Sequence, residues 1–348
     1  MNTKKYAIIV FSLLFLLAGF GFAFGDSKGV LSLNLQGAYS FGNQEGWGLT
    51  GDGAFAPISY SVVTPVNHVP NDPGRTLGTT WGGAQAKASV SYALKYPFLT
   101  GDGPLFKSNS VEYKMSGELS PVSLNALASV TLTPIALLKL SAGAGAGTGW
   151  YAGFNGLGRN LPGLDYDAPQ HEPFSGVVYR MWMSATFQFD VGAVVPGKWN
   201  HIIMAAVPKL EYRAFTGAEN STAWQWEADD GENFNGFKYY GTYVLGYQLP
   251  FAVNTVGVLL DTEQYIGSTA SLSTMASGGW GSDFIKMNFG PLVNIALNDN
   301  SDLTVLFQLK NGRRYTDATI GNRYFEYREY ESWYIALYRL ALSYTVKF

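Results

Sequence analysis

Three histidines are all the imidazoles this 348-residue chain holds, and it has no cysteine. His68 lies in "PVNHVPNDPG", His171 in "APQHEPF" and His201 in "PGKWNH". Nucleophilic hydrolysis needs an imidazole beside a serine or thiol, with an acid to orient it. None of the three has such a partner at a recognisable motif spacing. The chain is read as non-enzymatic with no catalytic residue, and a lipid hydrolase is kept as an alternative. The glycine run "AGAGAGTGW" at Ala142–Trp150 invites a phosphate-loop reading, but Thr148 and Trp150 occupy the third-glycine positions of G-x-G-x-x-G. "NDNSD" at Asn298–Asp302 has the oxygen spacing of half a calcium loop. The following glycine and distant glutamate are missing, so it reads as a tight turn. "GDG" at Gly51–Gly53 and Gly101–Gly103 is turn chemistry too. Surface calcium on the acidic stretch "ENSTAWQWEADDGE" at 219–232 is an alternative. No cofactor, resident metal or nucleic-acid partner is assigned: 23 basic against 26 acidic residues give no basic excess.

What chemistry is left belongs to charged side chains on a wall, so the elements that build the wall come next. "MNTKKYAIIVFSLLFLLAGFGFAFG" places Lys4 and Lys5 ahead of an apolar run and ends in small residues. This is the pattern of a secretory signal peptide, residues 1–25, leaving a mature single domain at 26–348. Beyond it no apolar stretch reaches the ~20 residues of a membrane helix. The composition is instead rich in strand formers, with 22 Tyr, 22 Phe and 9 Trp, and disulfides are excluded.

Period-two alternation marks strands at 31–41, 84–96, 111–119, 126–133, 138–149, 177–189, 202–214, 239–249, 254–263, 284–297, 303–310 and 334–348. Twelve is the expected count, with ten or fourteen as the neighbouring even numbers. In the last strand Tyr334, Ala336, Tyr338, Leu340, Leu342, Tyr344, Val346 and Phe348 share one face. Pro208 and Pro291 fall inside strands, which predicts bulges or adjusted registers there. The connections alternate in length: 42–83, 150–176, 215–238, 264–283 and 311–333 are long, and most of those between them are short. Such alternation is the pattern of an all-β, antiparallel, up-and-down transmembrane barrel. Connections 120–125 and 97–110 fit it poorly, and a soluble β-sandwich shares the alternation along strands.

Registers fixed on apolar residues alone put every strand charge on the opposite face. The pore-lining candidates on that face are Lys87, Lys114, Lys139, Arg180, Lys209, Glu211, Arg213, Asp261, Glu263, Lys286 and Arg339. Lys95, Glu112, Glu118, Lys310 and Lys347 share it. Basic residues outnumber acidic ones there, which predicts a preference for small anions if the lumen is open. The competing expectation is mutual neutralisation, because Lys209, Glu211 and Arg213 alternate on one strand. Gly143, Gly145, Gly147 and Gly149 have the same inward parity. They leave room for an infolded loop or a solute path, or else mark a sharp bend in the sheet. Trp199, beside a short turn, is expected in an aromatic girdle.

The signal peptide, the amphipathic strands and the terminal "LALSYTVKF" together resemble the bacterial outer-membrane β-barrel superfamily. The resemblance implies export, integral insertion in outer-membrane lipid, and recognition by the barrel-assembly machinery of the last strand. The matching positions are Leu340, Leu342, Tyr344, Val346 and Phe348. It implies no particular substrate. The expected function is a channel for small polar or anionic solutes. The competing class is a plugged structural or adhesive barrel that binds ligands through its loops.

Overall fold

The computed structural model describes residues 28–41, 81–150, 156–160, 170–171, 173–219, 222–227, 233–267, 284–316 and 329–348. The leader 1–25, His68 and most of connections 42–83, 264–283 and 311–333 lie outside them. In chain order the strands are β1 (Lys28–Phe41), β2 (Trp81–Pro97), β3 (Ser110–Ser120), β4 (Ser123–Ile135) and β5 (Leu138–Gly149). Then follow β6 (Gly158–Asn160), β7 (Gln170–His171), β8 (Val178–Asp190), β9 (Ile202–Phe215) and β10 (Ala223–Gln225). The chain continues with β11 (Gly236–Gln248), β12 (Val253–Tyr265), β13 (Lys286–Asn298), β14 (Ser301–Thr316) and β15 (Glu329–Lys347). Twelve of them close one antiparallel barrel, each paired with its neighbour in sequence, and β10, β6 and β7 form a separate three-stranded sheet. Its closing seam pairs β1 with β15 from Ser32 opposite Lys347 to Ser40 opposite Arg339, so no edge is left unpaired.

Barrel strands run from 11 to 19 residues, more than the ~9–11 a tilted membrane strand needs. Of the two connections that fit the alternation poorly, 97–110 stays long, at residues 98–109, and strand extension accounts for the other. The connection expected at 120–125 shrinks to a turn at Pro121 and Val122, because β3 and β4 pair to their ends, Ser120 opposite Ser123. Trp150 fastens that turn, donating its backbone N–H to the Val122 carbonyl at 3.0 Å and its indole N–H to the Pro121 carbonyl at 2.8 Å.

Two sequence expectations are corrected. The single face assigned to the last strand is broken by a bulge: Arg339 opposes Gln308 while Leu337 opposes Leu309, leaving Tyr338 as the extra residue. Tyr338 thereby turns to the inner side, with Lys310 Nζ 5.1 Å and the Arg339 guanidinium 4.8 Å from its ring centre. The strand prolines produce no register shift. Around Pro208 the β8–β9 pairing lapses between Ser184–Lys209 and Phe187–Ala206 and resumes in the same register, while Pro208 stays opposite Gly241 on β11. Around Pro291 the β13–β14 pairing lapses between Phe289–Leu309 and Leu292–Leu306. A missing N–H donor costs the ladder a rung or two on one side and leaves closure intact.

Val90, Met115, Leu119, Leu124, Met183, Phe187, Leu245 and Val258 are exposed on the outer surface, whereas Glu211 and Lys238 on the inner face are almost fully buried. An apolar exterior around a charged interior is the inverse of a soluble sandwich.

Candidate functional site: the inner wall and the infolded sheet

Strand pairing brings the inward charges into a continuous belt. On β9, Glu211 has a side-chain exposure of only 1% and lies between two cations. Lys209 Nζ donates to it at 2.9 Å, and Arg213 donates through Nε at 2.8 Å with Nη2 at 2.6 Å. On the next strand Lys238 pairs with Glu263 of β12, which opposes Lys286 of β13 in register. On the other side Arg180, directly opposite Arg213, reaches Glu118 of β3 at 3.3 Å. Lys87 of β2 approaches the same carboxylate at 3.9 Å.

The Arg180–Glu118 contact spans the intervening strands β4 and β5, and glycine is what permits it. Arg180 lies opposite Gly145, and Glu118 opposes Asn125, which opposes Gly147. The strip Gly143–Gly149 therefore presents no side chains to obstruct the bridge. It is not empty space. Trp182 lies over Gly143, the Asn125 amide over Gly147, and Leu157 and Trp226 over Gly149, where added Cβ atoms would collide. Loop residues reach the strip at Gly149, while at Gly143, Gly145 and Gly147 the neighbours are side chains of the wall itself.

That loop material is the second sheet. Leu157, Trp224 and Trp226 pack on the inward residues Val178 and Phe215 in one buried apolar cluster. Trp224 pairs with Asn233 through backbone bonds of 2.8 and 3.1 Å. Within the stretch 219–232, Glu227 turns to the wall and accepts from Ser123 Oγ at 2.6 Å and Asn125 Nδ2 at 3.2 Å. Belt and sheet meet at Lys238, which donates to Asn233 Oδ1 at 3.3 Å as well as to Glu263. Cation–π contacts fill the remaining gaps: Lys209 Nζ lies 4.2 Å from the Tyr240 ring centre and Lys238 Nζ 4.4 Å from that of Tyr265.

The other candidates are distributed along the wall. Asp261 accepts from Thr242 Oγ1 at 2.7 Å, and Arg339 donates to Gln308 and Gln85 at 2.7 and 3.0 Å. A small recess on this wall is lined by Tyr240, Thr242, Asp261, Glu263, Lys286 and Asn288. Lys114 and Lys139 join no ion pair among the described residues. Mutual neutralisation is thus partly realised: Glu118 and Glu211 each hold two cations.

Lys238 was missed because the strand was expected to start at 239, whereas β11 begins at Gly236. Trp182 and Glu118 carried a readable signal, since both have the inward parity.

The terminal residues Leu340 and Leu342 are exposed outward, and Phe348, 71% exposed, closes the seam through its N–H to the Leu31 carbonyl at 2.8 Å. The sequence shows no acid partner for His201 at a motif spacing, and the fold supplies one: its Nδ1 lies 2.7 Å from Asp190 Oδ2. The pair clamps the turn at Val191–Ala193, where Asp190 also accepts from the Gly192 N–H. Trp199 beside it is exposed and meets Phe251 edge-on at 5.6 Å. Of His171 the structure describes only its place in β7.

No protein-family model matches the chain, and no curated protein matches it. Among solved structures it is similar to an outer membrane channel from Pseudomonas putida F1, at 11% identity over 93% of this chain and 96% of that one, with a TM-score of 0.41. The translocator domain of autotransporter NalP from Neisseria meningitidis is 8% identical over 99% and 97% of the two chains, with a TM-score of 0.36. OmpF from Salmonella typhi, solved with daunomycin, is 10% identical over 92% and 98%, with a TM-score of 0.27.

Proposed function

We propose that the chain is an integral outer-membrane barrel, exported by its leader 1–25 and inserted with Phe348 in its assembly signal. Its lumen passes small polar solutes with a preference for anions. The observation that carries this reading is the reversal of polarity across one closed wall. Exposed Leu119, Leu124, Met183, Leu245 and Val258 suit lipid. The inner face bears Lys87, Lys114, Lys139, Arg180, Lys209, Lys286 and Arg339, which a lipid face excludes at ~2–4 kcal/mol per Arg or Lys near the midplane.

A second reading is favoured by one observation, the infolded sheet with Trp224 fully buried. It holds that the lumen is plugged and that the loops bind ligands. Reconstitution into a planar bilayer separates the two. Discrete conductance steps support the channel; silence across salts and voltages refutes it and leaves the plugged barrel. Recovery of the mature protein in the soluble periplasmic fraction without detergent refutes both.

A further inference from the structure

The ion pairs of the inner wall are unequal. Glu118 is held by Lys87 and Arg180, Glu211 by Lys209 and Arg213, and Glu263 by Lys238 with Lys286 opposite it in register. Three carboxylates therefore serve six cations. Asp261, two residues along β12, and Glu227, held on Asn125 opposite Glu118, add two further negative charges, and the belt still keeps an excess of one positive charge. The central members are scaffold: Glu211 and Lys238 have side chains 1% and 5% exposed. The rim members Lys87 and Arg180, 33% and 26% exposed, face the lumen. The belt also touches the infolded sheet, since Lys238 donates to Asn233, the bridge partner of Trp224.

We infer that this belt, which runs from β2 to β13 across nine of the twelve barrel strands, is the selectivity belt of the channel, that it takes small carboxylate anions, and that Glu118 limits its strength. The guanidinium fork of Arg180, set beside Lys87, suits a planar two-oxygen anion. Glu118 already occupies that position as an internal competitor. A passing carboxylate exchanges with it on Arg180 and Lys87, and no bond is made or broken. The inference rests on the channel reading and makes a demand that reading does not: removing an acid changes selectivity through the two cations it releases.

The test is the reversal potential of purified protein in a planar bilayer under a potassium acetate gradient. One unit charge acting at ~7 Å through water is worth about a threefold change in local ion concentration. Glu118→Gln is expected to raise the acetate-to-potassium permeability ratio about threefold, and Arg180→Gln and Lys87→Gln each to lower it by about as much. Heat-dependent gel mobility checks that each variant is a folded barrel. Lys87→Gln, at an exposed rim contact of 3.9 Å, carries the test if Glu118→Gln does not assemble. Conducting variants with an unchanged ratio, or a fall on Glu118→Gln, overturn the belt and leave the channel standing. A silent wild-type protein overturns both.

Discussion

Glu211→Gln removes the charge at the centre of the belt and keeps its shape. Glu211 is the acceptor for Lys209 at 2.9 Å and for Arg213 at 2.8 and 2.6 Å, with 1% of its side chain exposed. A hydrogen bond to a charged group contributes ~1.5–3 kcal/mol. Lys209 is 30% exposed and recovers most of its loss from lumen water, so its share falls to the ~0–1 kcal/mol of an exposed pair. Arg213, 16% exposed, recovers less, and it also faces Arg180 across the β8–β9 rung. The expected total is ~3 kcal/mol, about two decades in the folded fraction. Urea unfolding of the barrel refolded in detergent, followed by gel mobility and extrapolated linearly, reads this directly. The doubly substituted Glu211→Gln/Arg213→Gln chain should recover at least ~1 kcal/mol, because it no longer strands a buried cation. A loss under ~0.5 kcal/mol, or strict additivity in the double variant, refutes the reasoning, since either means that water and not Glu211 balances Arg213.

Trp224→Ala empties the centre of the apolar cluster under the infolded sheet, a loss of ~3–5 kcal/mol that falls on the sheet rather than on the barrel ladder. Larger single-channel conductance with unchanged barrel unfolding is expected; unchanged conductance means the sheet does not narrow the path. Deleting Phe348 removes the last rung to Leu31 and the terminal aromatic, and should impair insertion while export continues, measured by fractionating the membranes. Normal insertion of the shortened chain would count against the assembly-signal reading. His201→Ala breaks a contact whose partners are about one third exposed, so barrel stability should change little. Fatty-acid release from phospholipid vesicles should be absent with both the wild-type chain and the variant. Release by the wild type that disappears in the variant would restore the lipid-hydrolase alternative.

Parity made the wall legible. A strand has period two, so one slip would expose a whole row of charges to the apolar face, and Leu31–Phe41 or Ile202–Ala214 admit one register only. Three features escaped for physical reasons. The bulge at Tyr338 ends the apolar and aromatic run Tyr334–Tyr338, where no alternation marks a register, and only the β14 partner reveals the extra residue. The start of β11 was set too late because Gly236 and Phe237 resemble loop residues until Arg213 and Tyr212 pair with them, and Lys238 went unseen with them. The infolded sheet has strands of two and three residues, too short for any period, and β10 pairs with a β6 that lies more than fifty residues earlier in sequence.

The clue to that sheet was nevertheless present in Gly143–Gly149. Four glycines on the inner face of one strand give up side-chain packing, and a wall in contact with nothing but water gains nothing from that loss. A surface lying against another piece of the same chain gains close approach. Trp224 and Trp226, two indoles in an acidic loop, are the complementary signal, because a fully solvated loop has no use for such apolar area. The glycine strip thus serves two partners at different heights. Near Gly149 it receives Leu157 and Trp226, and near Gly145 and Gly147 it lets Arg180 cross to Glu118. A valine at Gly149 should displace the sheet and spare the bridge, whereas one at Gly147 strikes the Asn125 amide and should disturb both its bond to Glu227 and the crossing of Arg180 to Glu118.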